Sequence, residues 1–131
     1  MPRIRKQMAA RLLAADPGTK VIEFDLSALN KFMAYSEMTH ILSNPAEYAG
    51  KVIRIAGTYY SLGKDAADRE NYCSMYDGCC ASCDVRFFPA DTVREAAEYL
   101  TADQPVTVTG VLGTYEQFGR TRYGLFEAKI R

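Results

Sequence analysis

Apolar positions in this chain recur first at helical spacing and then at every second residue. In "FMAYSEMTHIL" (32–42), Tyr35, Met38, Ile41 and Leu42 fall on one helical face, and "SNP" ends the segment at Asn44-Pro45. This predicts a helix near 33–43. Upstream, "VIEF" (21–24) reads as a short strand, and downstream "PAEYAGK" makes a turn closed by Gly50.

From Lys51 the period is two. "KVIRIAGTYYSLG" places Ile53, Ile55, Gly57 and Tyr59 on one face, with Val52, Arg54, Thr58 and Tyr60 on the other. A glycine in mid-strand predicts a sharp bend there. "ENYCSMY" and "CDVRFF" read as the next two strands, with Val85 and Phe87 on one side. "DTVREAAEYL" (91–100) then returns to helical spacing, with Asp91 as N-cap and Val93, Ala96, Ala97 and Leu100 as its stripe. "QPVTVTGVLGTYEQ" is a second bent strand with Val106, Val108, Gly110 and Leu112 inward. "FGRT" makes a turn, and "RYGLFEAKI" closes the sheet through Phe126, Ala128 and Ile130.

The order is helix, three strands, helix, two strands. Five strands with a helix between the third and fourth is the order of an OB-fold barrel, so the expected class is mainly β with flanking helices and an OB-like barrel over 21–131. An open mixed α+β sheet is the rival. Residues 1–20 form a basic segment ahead of this domain.

Length and composition agree with a single domain. The 131 residues, 48% hydrophobic and 24% charged, suffice for one buried core. Formal charge is zero, but five of the 16 basic residues and one of the 16 acidic ones lie in residues 1–20, which leaves −4 for the rest. A mildly acidic domain is a poor electrostatic partner for nucleic acid. No stretch approaches the roughly 18 apolar residues of a membrane span. The basic N-terminal stretch lacks a convincing signal h-region, so the expectation from this chain is a cytoplasmic, reducing location.

All four cysteines fall within "CSMYDGCCASC": Cys73, Cys79, Cys80 and Cys83. Three readings compete. As a zinc site, Cys80 and Cys83 have the C-x2-C spacing that lets one turn present two thiolates. Cys73 adds a third from across the hairpin, and Cys79 is the awkward fourth, with Asp84, His40 or water as substitutes. As disulfides, Cys73 would pair with Cys79 or Cys80 across the hairpin. As small hydrophobes, some are simply buried. Clustering argues against idle thiols, and the C-x2-C turn, the third cysteine across the hairpin and the expected reducing location favour zinc as the cofactor. "CASC" also has the spacing of thiol oxidoreductases, but those place the motif at a helix N-terminus, and here it leads into a strand.

No other catalytic constellation is present: there is no nucleophile elbow, phosphate-binding glycine loop or dinucleotide fingerprint. His40, the single histidine, lies on the polar side of its helix. The chain reads as a binding module and not as an enzyme. Tyr115, Phe118, Arg120, Arg122 and Tyr123 gather around the last hairpin, with Tyr59 and Tyr60 on an earlier strand. Those are the places an OB-fold uses to bind extended ligands. A hairpin whose aromatics merely pair across strands is the plainer explanation.

Beyond these patterns, "DLSALNKFMAYSEMTHILSNPAEYAGKVIRIAGTYY", a "CC" pair ahead of a strand, and "VTVTGVLGTYEQFGRTRYGLFEA" together resemble small, largely uncharacterised bacterial OB-fold-like proteins. These are often lipoproteins of Firmicutes and sometimes encoded near zinc-uptake systems. The resemblance spans roughly residues 24–130 and implies an OB-like fold, a cell-envelope location and a link to metal homeostasis. This chain departs from the pattern at its N-terminus, which has no lipid-attachment cysteine. It departs again at "CDVRF", where the pattern has a glycine and then an acidic residue ahead of the phenylalanine.

Two functions follow as expectations. One is a non-enzymatic module whose cysteine-rich hairpin holds zinc. The other is an OB-type module for an oligonucleotide or other extended ligand, with structural cysteines.

Overall fold

The structure, a computed structural model, describes residues 21–63, 68–93, 97–98 and 100–131. It is mainly β with flanking helices. The strands are β1 (Phe24–Asp25), β2 (Val52–Leu62), β3 (Glu70–Tyr76), β4 (Ser82–Pro89), β5 (Pro105–Gln117) and β6 (Arg120–Ile130). The helices are α1 (Lys31–Ser43) and the single turn α2 (Pro45–Tyr48).

The sheet runs β1-β2-β3-β4-β6-β5, and β2 also pairs with β5, so five strands close into a ring. Within the ring every pairing is antiparallel except β4 with β6. Closure depends on β2 serving two partners in turn. Residues 52–58 pair with β5 and residues 58–62 with β3, so Thr58 belongs to both ladders. Gly57 sits just before that handover, against the Ser74 carbonyl and the Cys73 sulfur, where a Cβ would collide. The expected mid-strand bend thus has a cause in close backbone approach.

The inward faces match the period-two reading over most of the ring. Ile53, Ile55, Tyr59, Val85, Phe87, Val106, Val108, Leu112 and Leu125 are buried together. The last strand departs from that reading. Phe126, Ala128 and Ile130 were read as one set closing the sheet, but Leu125 and Ala128 are the buried positions and Phe126 faces out. Glu127 takes a left-handed φ of 51°, and residues 127 and 128 stand opposite Gly110 alone. That bulge shifts the alternation by one residue, which a strict period cannot anticipate.

Helix α1 packs against β3 and β4. Asn30 caps it by accepting the Met33 N–H at 2.8 Å. Ala34, Met38 and Ile41 are fully covered, and Tyr35 and Leu42 pack beside them. Asn44 closes the helix, as the "SNP" signal predicts, by donating its backbone N–H to the His40 and Ile41 carbonyls. His40 is exposed, its ring edge-on to Tyr48.

Two further expectations change. The short strand expected at 21–24 is Phe24–Asp25, a sixth strand lying parallel to β2. It is anchored by Glu23, whose buried carboxylate meets Lys51 Nζ at 3.1 Å and accepts the Val52 N–H. The helix expected over 91–100 opens as a 3-10 turn at Asp91–Val93. Its stripe residue Ala96, with 94, 95 and 99, lies outside the described residues, while Ala97 is buried and Leu100 packs against the core. The basic segment 1–20 also lies outside them. Among the described residues no helix is long and apolar enough to cross a membrane.

Candidate functional site

Alternation that sends one set of side chains into the ring sends its complement outward, and on β2, β3 and β4 that outward set includes Tyr60, Tyr72, Arg86 and Phe88. Tyr60 stands directly opposite Tyr72, and Tyr72 opposite Arg86. The two tyrosine rings stack at 4.9 Å with planes 8° apart. The Arg86 guanidinium lies over the Phe88 ring at 4.7 Å and the Tyr115 ring at 4.8 Å. Phe88 in turn stacks on Phe126 at 4.4 Å. Five strands thereby contribute to one half-buried band of rings with a single guanidinium at its centre.

Gly124 on β6 makes this band continuous. A Cβ there would approach the Arg86 carbonyl to 2.8 Å and the Tyr115 ring to 3.2 Å. Without one, the Tyr115 ring crosses the backbone of β6 and reaches Arg86. The glycines of the last two strands therefore make room for rings as well as for bending.

A carboxylate organises the band's charge. Glu70 Oε1 accepts from Tyr72 Oη at 2.9 Å and from Gln117 Nε2 at 3.0 Å, and faces Arg86 Nη1 at 3.4 Å. The Gln117 contact ties the β5–β6 hairpin to the start of β3. Burial pushes the Tyr60 phenol up to about 12, with its hydrogen bond to Asp84 adding to the effect. Burial and the bond to Glu70 likewise raise Tyr72. Both rings are therefore neutral donors throughout the physiological range, and the Arg86 charge is balanced by Glu70. The band stacks well and attracts phosphate weakly.

The structure divides the expected ligand residues. Tyr60 and Tyr115 belong to the band. Phe118, 92% exposed, forms the tip of the β5–β6 turn. Arg120 and Arg122 are exposed beside it, opposite Gln117 and Tyr115. Tyr59 is a core residue, 1% exposed, donating its hydroxyl to Asn71 Oδ1 at 2.6 Å. Tyr72, Arg86, Phe88 and Phe126 were missed. Taking the complement of the inward positions on β3 and β4 would have found the first three.

The cysteines separate into two pairs. Cys73 and Cys83 face inward on β3 and β4 and are buried free thiols. Burial pushes Cys73 up to about 12, with Cys83 and Asp84 contributing, and pushes Cys83 up to about 11, with Asp84 contributing. Cys79 and Cys80, exposed at the hairpin tip, bring their sulfurs within disulfide distance of each other. The alternative pairing of Cys73 with Cys79 or Cys80 is not formed; Cys73 sits opposite Val85, in the ladder and away from the turn. Among the described residues no three of His, Cys, Asp and Glu are placed to hold a metal. Arranged this way, Cys73, Cys79, Cys80 and Cys83 do not form a tetrahedral donor set. Asp84 points outward and His40 lies on α1.

A cleft of about 690 Å³ opens elsewhere, lined by residues including Ile22, Val52, Arg54, Val93 and Lys129. Its Arg54 is engaged by Thr109 at 3.0 Å and Asp25 at 3.6 Å. The aromatic band is the better candidate.

No protein-family model matches the chain, and no curated protein does. Among solved structures the chain is similar to "OBody NL8 bound to hen egg-white lysozyme", at 20% identity and a TM-score of 0.43 over 63% of this chain and 92% of that one. It is also similar to "Structure of RecG bound to three-way DNA junction", at 16% identity and a TM-score of 0.38 over 99% of this chain. This chain spans only 21% of that second protein's length. Both likenesses are loose, and nothing about function follows from either.

Proposed function

We propose that this protein is a non-enzymatic binding module, an OB-like barrel that takes an extended ligand across the outer face of β3 and β4. The observation that carries the reading is the band Tyr60–Tyr72–Arg86–Tyr115–Phe88. It occupies the strand face, with the β5–β6 hairpin alongside, that OB-folds use for oligonucleotides and oligosaccharides. Stacking supplies the affinity, because every planar or apolar ligand face can lie on a ring. The Arg86–Glu70 pairing leaves little net charge for phosphate.

Nine tyrosines and no tryptophan make intrinsic tyrosine fluorescence the natural readout. Titration with single-stranded oligonucleotides and with oligosaccharides should quench it for one class. Tyr72→Ala should weaken that binding by about 1–3 kcal/mol. For an oligonucleotide the salt dependence should be shallow, one or two phosphates at a slope of about −0.7 each. No quenching by either class, or an unchanged affinity in Tyr72→Ala, would refute the reading. Zinc binding by the hairpin is the separate reading; it requires the Cys79–Cys80 bond to open and is tested by metal content after reduction.

A further inference from the structure

We propose that Cys79 and Cys80 are a reversible thiol–disulfide pair that exchanges with external dithiols, small or protein-borne, at the tip of the β3–β4 hairpin. Four observations converge on it, and none depends on the aromatic band.

Both residues are exposed, so an incoming thiolate can reach either sulfur. The turn that carries them is also held without their bond. Asp77 Oδ1 accepts the backbone N–H groups of Cys79, Cys80 and Ala81 at 2.7, 2.8 and 3.2 Å. The Asp77 N–H donates to the Ala81 carbonyl at 3.0 Å, and the Tyr76 hydroxyl donates to the Cys79 carbonyl. Gly78 supplies the left-handed φ of 95° that the turn needs. The backbone N–H groups hold the Asp77 carboxyl below its usual range, so these anchors persist across neutral pH.

Opening the disulfide therefore leaves two thiols side by side on a preformed turn, ready to close again. A regular strand would send adjacent side chains to opposite faces; a turn does not. The remaining cysteines cannot interfere. Cys73 and Cys83 are buried in the core as un-ionised thiols, and the thiolate is the exchanging species.

The exchange balances simply. A thiolate of the external dithiol attacks one sulfur of the pair and forms a mixed disulfide, and the other sulfur leaves as a thiolate that takes a proton. The partner's second thiol then attacks its own sulfur in the mixed disulfide and forms the partner's disulfide. Two electrons and two protons pass to Cys79 and Cys80, and the reverse sequence restores the bond.

Intact-mass spectrometry of the whole chain tests this. Protein equilibrated with oxidised glutathione and then alkylated without denaturant should gain no alkyl group. After dithiothreitol it should gain two, mapping to Cys79 and Cys80, and re-oxidation should abolish both. Reduced protein should also bind one equivalent of phenylarsine oxide, whose single arsenic takes two neighbouring thiols with loss of water. Cys79→Ser should lose that binding while keeping the wild-type melting temperature. Alkylation at the tip after oxidation, labelling of Cys73 or Cys83 at a comparable rate, or no arsenical uptake by the reduced protein would each overturn the proposal.

Discussion

Tyr59 shows how one residue can be read correctly for position and wrongly for role. Its place on the inward face of β2 was legible from the alternation, yet its ring was also counted among the surface aromatics. Buried, its hydroxyl needs a partner and finds one in Asn71, the buried polar residue across the ladder. Tyr59→Phe should leave the Asn71 oxygen unpaired and cost about 1–3 kcal/mol in urea unfolding. The buried thiols make a pH prediction at the same scale. Cys73 and Cys83 rise in the fold from an ordinary 9.0 to about 12 and about 11. The unfolded chain therefore releases these protons first as pH rises. Their contribution is complete below pH 9 and is lost progressively as pH rises towards 11–12. The melting temperature should fall over that window, and Cys83→Ala should flatten the fall.

Among elements, β2 to β5 were legible because their inward positions recur at every second residue. β3 coincides with the expected "ENYCSMY" and β5 with all but the first residue of the "QPVTVTGVLGTYEQ" run. What escaped was set by single-residue events. The bulge at Glu127 turns Phe126 outward, and β1 is a two-residue strand held by its pairing with β2 and by the Glu23–Lys51 ion pair, too short to show a period. That pair makes β1 sensitive to a small change. Glu23→Gln removes the charge that faces Lys51 Nζ and should lower the denaturation midpoint. The cap of α1 is a milder case. Asn30→Ala removes an exposed hydrogen bond to the Met33 N–H and should cost about 0.5–2 kcal/mol.

At the scale of the whole ring, neighbours in the chain are not always neighbours in space. Eleven residues of sequence hold four thiols, but pleating sends two into the core and a turn sets two apart at the tip, so proximity in the chain is not convergence in space. The candidate site has the opposite character. Its members are spread from Tyr60 to Phe126 and come together only because the ring closes. Two of its six members, Tyr60 and Tyr115, were named from local pattern. Arg86 and Phe88 were open to the outward alternation of β4, but their meeting with Tyr115 and Phe126 rests on β4 lying between β3 and β6.

The most direct test of this account is a map of backbone amide shifts in ¹⁵N-labelled protein, recorded while titrating the oligonucleotide or oligosaccharide that quenches tyrosine fluorescence. Shifts should concentrate on Tyr60, Tyr72, Arg86, Phe88 and Tyr115, with the β5–β6 turn at Phe118 joining them. Shifts concentrated instead around the cleft at Ile22, Val93 and Arg131, with the band unmoved, would contradict it.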